Sequence, residues 1–222
     1  MNFIFDSSSL ISVSQTCLIN ILGGLRQELK AEFVIPKAVE YEAVERPSSI
    51  KRFELNAIRI KNAIDKGWFT VKKNRDKQLF DKIAGLANSC FYAKGRPVKL
   101  IQKGEIEALA LAKELKAVAF AIDERTTRML VESPSHLRKI LQTRRNIRIE
   151  ENQANLNAFR EMFKHLTMIR SVELISLAFE LGLLEKELPK GRQSLEAALF
   201  AAKYSGCAVS AREINMFLQS KR

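Results

Sequence analysis

Residues 3–11 read FIFDSSSLI and residues 119–128 read AFAIDERTTR. In both, a short apolar run stops at an aspartate, Asp6 or Asp123. A run of that length suits a buried strand, and the polar residues behind it can cap a helix. Working outward from Asp6, Leu10, Val13, Cys17, Leu18, Ile21 and Leu22 recur at helical spacing, and Gly23 and Gly24 are placed to end that helix. A second strand is expected at 33–35. Pro36 then opens a helix that runs to about Glu45 and stops before Pro47. Further on, the pattern predicts a helix over 50–64, a short strand at 68–71 and a helix over 76–91 broken at 94–97. A helix opened by Gly104 follows, and then a strand at 117–122. Helices should follow Asp123, through Leu130 and again over 137–141. From about Asn152 only helices are expected, over 152–167, 171–181, 192–204 and 210–220. Alternation of strand and helix up to residue 123 argues for an α/β unit with a parallel sheet. The last 70 or so residues argue for an α-helical appendage.

The 222 residues include 37 Lys plus Arg against 25 Asp plus Glu, a formal net charge of +12. With 46% apolar residues, the chain can bury a sizeable core without disulfide or metal staples. Disorder is not expected. The excess positive charge favours polyanionic partners, nucleic acid before anionic membrane. Cys17, Cys90 and Cys207 are odd in number and sit among apolar neighbours, so they are read as small buried hydrophobes in a reducing cytoplasm. Asp6 interrupts the only apolar run near the start, so no signal peptide is expected. No stretch reaches the roughly 18 apolar residues of a membrane span.

Acids stand at the edges of apolar elements in four places. Asp6 and Asp123 end strands, Glu42 lies in the helix that begins at Pro36, and Glu105 and Glu107 lie in the first turns of the Gly104 helix. In an open parallel sheet, ligands bind beyond the carboxyl ends of the strands, where Asp6 and Asp123 would both project. Gathered carboxylates call for a counter-charge. An all-oxygen set without His or Cys selects Mg²⁺ or Mn²⁺ over Zn²⁺. Such a site on a basic protein points to phosphodiester hydrolysis. Each acid has a plainer reading: Asp6 as a helix-start residue, Glu105 and Glu107 as partners of the helix dipole, and Glu42 as an exposed helix residue. Their order along the chain is the stronger signal.

Four segments then carry a family resemblance: FIFDSSSLI, VIPKAVEYE (34–42), KGEIEALALAKEL (103–115) and AFAIDERTTR. In this order the chain resembles PIN-domain ribonucleases over residues 1–132. The resemblance implies a three-layer α/β/α fold with a central parallel sheet. It makes 1–150 a PIN-like nuclease domain with a helical insertion around 46–100, and 151–222 a helical C-terminal extension. It implies catalytic, metal-binding acids at Asp6, Glu42, Glu105 and Asp123, with Ser8, Glu107 and Glu124 as secondary candidates. Glu105 is preferred to Glu107 because it lies nearer the helix start, and two residues apart on a helix face differently. Residues 177–188 and 201–218 are similar to a C-terminal helical region of some prokaryotic PIN-domain proteins. The insertion and the tail exceed a minimal toxin-type PIN domain.

Arg125 and Arg128 follow Asp123 in helical register. They can contact phosphate oxygens or neutralise the acids. Arg144, Arg145 and Arg148 belong to the densest basic run, either a solvated face or a strip for a nucleic-acid backbone. His136 and His165 lie in no motif. The expected function is a Mg²⁺- or Mn²⁺-dependent nuclease, with single-stranded RNA implied by the resemblance. The alternatives are a nucleic-acid- or partner-binding module with an idle acid site, or a toxin held by an antitoxin. A homodimer is a further expectation, and no membrane partner is expected.

Overall fold

The computed structural model describes residues 1–220. The last two residues of the expected 151–222 extension lie outside it. The chain begins β1 (Asn2–Phe5), α1 (Ser7–Gln15), α2 (Asn20–Glu28), β2 (Glu32–Pro36), α3 (Lys37–Glu40), a π turn (Tyr41–Glu45) and α4 (Arg46–Ser48). It continues with α5 (Lys51–Asp65), β3 (Thr70–Lys72), α6 (Lys77–Ala87), β4 (Phe91–Ala93), β5 (Arg96–Pro97), α7 (Lys103–Glu114) and β6 (Ala119–Ala121). Then come α8 (Arg125–Glu132), α9 (Pro134–Arg145), β7 (Ile149–Glu151), α10 (Gln153–Phe163), β8 (Thr167–Ile169) and α11 (Ser171–Glu180). The chain closes with α12 (Leu183–Glu187), α13 (Arg192–Tyr204) and α14 (Ala211–Ser220).

Five parallel strands form the central sheet in the order β3-β2-β1-β6-β8. The register sets Phe3 beside Phe33 and Ala119, and Ile4 beside Val34 and Phe120. Because side chains alternate across a strand, the sheet feeds two cores. Phe3, Phe5, Phe33, Ile35 and Ala121 pack on one face with α1, α2 and the C-terminal helices. Ile4, Val34, Phe120 and Ile122 pack on the other with α6 to α10. Phe5, Phe33 and Phe69 form an aromatic cluster, with Phe5 4.8 Å from Phe33 and 5.2 Å from Phe69. Each such ring removed from water contributes about 2 kcal/mol. The expected three-layer α/β/α architecture with a parallel sheet is present. Among the described residues, no single helix is long and apolar enough to cross a membrane.

Several local expectations change. Gly23 and Gly24 lie inside α2 instead of ending a helix. A Cβ on Gly23 would come within 2.6 Å of the Trp68 ring, and one on Gly24 within 2.9 Å of Leu183. The two glycines are there for close packing on both sides of the helix. The helix from Pro36 also does not stop at Pro47. A proline ring clashes with the carbonyl four residues back, and here the backbone widens to a π turn before α4, with the Arg46 amide bonded to the Tyr41 carbonyl. The segment at 91–97 is the β4–β5 hairpin of a small antiparallel sheet, β5-β4-β7. Residues 149–151, just ahead of the expected helical tail, and 167–169, at the junction of the helices expected over 152–167 and 171–181, are strands that the pattern does not predict. β8 supplies the fifth strand of the central sheet, so sheet strands stand on both sides of residue 150. Of the cysteines, Cys90 and Cys207 are buried as expected, but Cys17 is exposed at a left-handed turn between α1 and α2.

Candidate functional site

Every parallel strand of the central sheet ends at the same edge, and the residues that follow them gather there. Asp6 follows β1, Lys37 follows β2, Lys73 follows β3, Asp123 lies just beyond β6, and Arg170 follows β8. Asp6 is the N-cap of α1. Its Oδ2 accepts hydrogen bonds from the Ser8 amide (3.0 Å) and hydroxyl (2.6 Å). Its backbone N–H is held by the Ala121 carbonyl at 2.9 Å, which fixes it against β6. Ser8 therefore supports the first acid. The same Ser8 hydroxyl accepts the Asp123 amide at 3.1 Å and joins the ends of the two strands.

Glu105 is buried at the start of α7. Its Oε2 accepts from the Gln102 amide at 2.8 Å, a capping-box contact, and its Oε1 accepts from the buried Thr127 hydroxyl on α8. Burial pushes its carboxyl up to about 7, and the charges of Asp6 and Glu124 push the same way against the hydrogen bonds from Thr127 and Gln102. Burial likewise raises the Asp6 carboxyl, opposed by Ser8 and assisted by the charge of Glu42. Asp6, Glu42, Glu105 and Glu124 thus feel one another as a group. Among the described residues, none of the four forms an ion pair with a Lys or Arg.

Glu42 sits in the π turn and is exposed. Its Oε2 accepts from the Ser7 hydroxyl at 3.0 Å. Its carboxylate lies against the first turn of α7, where a Cβ on Gly104 would meet Glu42 Oε1 at 2.7 Å. That placement sets a negative charge at the positive end of a helix. Glu107 faces away from Glu105 and lines an open cavity of about 480 Å³ with Glu42, Tyr41, Arg46, Lys73 and Lys103.

Asp123 departs from the others. It is buried, and both of its oxygens are taken by Ser171: Oδ1 by the backbone amide (2.7 Å) and Oδ2 by the hydroxyl (2.8 Å). It caps α11. The acid after β6 whose charge reaches Glu105 is its neighbour Glu124, the N-cap of α8, with Oε2 on the Thr127 amide at 2.9 Å. The backbone oxygen of Asp123 also accepts from Ala208, and the buried Arg170 guanidinium donates to the Ala208 carbonyl and to Glu213 of α14. The C-terminal helices are thereby tied to the same sheet edge.

The expected basic residues fall elsewhere. Arg125 is exposed on α8, while Arg128 is engaged with Glu132 at 3.0 Å. Arg144 and Arg145 end α9, and Arg148 lines a separate cavity beside β7. None of the five lines the cavity at Glu42. Its cations are Lys37, Arg46, Lys73 and Lys103, and Lys37 is bound by Glu40 and Glu45. Sequence reasoning missed Lys73, Lys103, Thr127 and Ser171. Lys103 directly precedes the Gly-Glu pair and is in view; Ser171 is hidden because 168–170 fall between the helices expected over 152–167 and 171–181 and give no strand signal.

The fold and site define an α/β protein with an acidic centre beyond the carboxyl edge of a parallel sheet. The chain belongs to the PIN-domain family, a nuclease-type fold: a family model described as a PIN domain matches residues 2–134. β8 and all that follows lie beyond the matched segment. No curated protein and no solved structure matches the chain.

Proposed function

We propose that this protein hydrolyses phosphodiester bonds of single-stranded RNA in the cytoplasm, with Mg²⁺ or Mn²⁺ held by the acid cluster. The observation that carries the reading is the placement of Asp6, Glu42, Glu105 and Glu124 beyond the carboxyl edge of the sheet, with no ion pair to a Lys or Arg among the described residues; burial and the charge of Glu42 raise the Asp6 carboxyl, and burial and the charges of Asp6 and Glu124 raise that of Glu105. Oxygen donors with uncompensated charge fit a hard divalent cation. Among the described residues no three His, Cys, Asp or Glu side chains form a ready cage. Binding would therefore exchange the Ser7, Ser8 and Thr127 hydroxyl partners for the ion. When bound, such an ion supplies charge compensation and an activated water for attack at phosphorus. The chain's own groups do the rest. Lys73 and Lys103 hold the backbone phosphates, and the Glu105 carboxyl, set near neutrality, can hold or release a proton at working pH.

That no three of these side chains, among the described residues, are arranged to hold an ion as they stand favours a second reading, a nucleic-acid- or partner-binding module with an idle site. Incubating the protein with labelled single-stranded RNA, the same RNA as a duplex, and single-stranded DNA separates the two. The nuclease reading expects cleavage of the single-stranded RNA that EDTA abolishes. Binding without cleavage under Mg²⁺ and Mn²⁺ would favour the module.

A further inference from the structure

A second cavity, of about 260 Å³, adjoins the acid cluster and shares Glu42 and Arg46 with the cavity just described. Its walls come from α1, the π turn, α4 and α5, and combine apolar Ile11, Ile50 and Phe53 with the amides of Gln15 and Asn56. Ile50 and Phe53 are each 40% exposed, unusual for side chains of their size. The side-chain amides of exposed Gln15 and half-buried Asn56 make no hydrogen bond to protein among the described residues and are open to solvent. The walls are held in place: the Ser14 hydroxyl donates to the Asn56 carbonyl at 3.2 Å, and Arg59 donates to the Ser14 carbonyl at 3.2 Å. The Arg52 guanidinium lies 5.5 Å from the centre of the Phe53 ring.

We infer that this cavity is a base-reading subsite that receives one nucleobase of a single-stranded substrate whose backbone crosses Glu42. The volume is below that of a drug-sized pocket and suits one ring system. Apolar walls with one aromatic ring give a base a stacking surface, as single-strand readers do. Unpartnered amides give its edge a donor and an acceptor. Donor and acceptor together can pair with an exposed Watson–Crick or Hoogsteen edge of a base. Charge complementarity selects a nucleotide over an apolar peptide: Arg46, Lys73 and Lys103 line the two cavities and Arg52 lies over the Phe53 ring, none of them in an ion pair among the described residues, on a chain of net charge +12. The inference deepens the nuclease reading and rests on it for the identity of the strand. Its test is binding, so the two can fail separately.

The experiment uses the full Asp6→Asn chain with Mg²⁺, so that no oligonucleotide is cut, and reads fluorescence anisotropy of labelled A, U, C and G homo-oligomers and an abasic oligomer of equal length. The subsite predicts tighter binding of the base-bearing oligomers, by about tenfold over the abasic strand. Adding Gln15→Ala with Asn56→Ala, or Phe53→Ala alone, should bring all strands within about twofold of one another. Adding Lys103→Ala should weaken all of them alike. Equal affinity for base-bearing and abasic strands overturns the inference. So does a base preference that survives all three cavity substitutions, which would leave the cavity to a protein partner. Cleavage by the unsubstituted chain, measured separately, reports on the nuclease reading alone.

Discussion

Asp123 gives both carboxylate oxygens to one residue: Ser171 holds Oδ1 through its amide at 2.7 Å and Oδ2 through its hydroxyl at 2.8 Å. The pair bridges the end of β6 to the start of α11, where it takes up the Ser171 amide while Glu173 takes up that of Arg170. The acid that the sequence pattern puts forward thus also holds the fold. Glu124 beside it is the one whose charge reaches Glu105. Asp123→Ala should lower stability by about 1–3 kcal/mol, since it strands a buried donor pair. Glu124→Gln should cost far less. Urea unfolding of the two variants checks this. An Asp123→Ala midpoint equal to that of the unsubstituted chain would remove the capping role.

Asp6 makes the opposite trade. Its carboxyl is raised by burial, so its ionised form opposes folding at neutral pH. Asp6→Asn keeps an oxygen for the Ser8 amide and removes the charge. The variant should melt at or above the temperature of the parent and lose metal-dependent cleavage, the usual signature of a site that costs stability. Thermal melting and a cleavage assay on one preparation read both.

Gly104 leaves room for the Glu42 carboxylate, with only 2.7 Å between an added Cβ and Oε1. Gly104→Ala should favour α7 intrinsically, by up to about 1 kcal/mol. It should also push the flexible Glu42 side chain off the helix start. The expected result is a fold as stable as the parent with cleavage reduced at least about tenfold. Unchanged cleavage would show that Glu42 acts from another position.

The C-terminal helix should loosen in acid. Burial works against ionised Glu213, but the Ser210 amide and hydroxyl and the Arg170 guanidinium outweigh it and hold its carboxyl at about 2. The usual glutamate value is about 4.3. A folded-state value below the unfolded one stabilises above the unfolded value, and that contribution is lost as pH falls from about 4 toward 2. Glu213→Gln should flatten the melting curve across that window and leave it unaltered in shape above pH 5. Parallel acid curves for parent and variant would contradict the link.

The strands around Asp6 and Asp123 and the parallel α/β class were legible because buried strands of a parallel sheet read as continuous apolar runs. β8 was not. Thr167, Met168 and Ile169 are three residues without alternation, and they became a strand only because β6 offers a free edge. Gly23 and Gly24 misled for a different reason. Trp68 and Leu183, which press on them, are 45 and 159 residues away in sequence, and local punctuation cannot express such contacts. At the site, the order of the acids was visible, and so was the difference between Glu105 and Glu107, since it follows from helix geometry. The hydrogen bonds on Asp123 come from Ser171, the first residue of an expected helix, which β8, a strand that the sequence does not reveal, brings to the end of β6.

The central claim is that the carboxylates around Asp6 make a metal-dependent nuclease. The most direct measurement is cleavage of one end-labelled single-stranded RNA by the parent chain, Asp6→Asn and Glu105→Gln, each with Mn²⁺, Mg²⁺ or EDTA. The account predicts cleavage by the parent with metal only, and loss of at least about a hundredfold in both variants. Cleavage that persists in EDTA, or survives both substitutions, would contradict it.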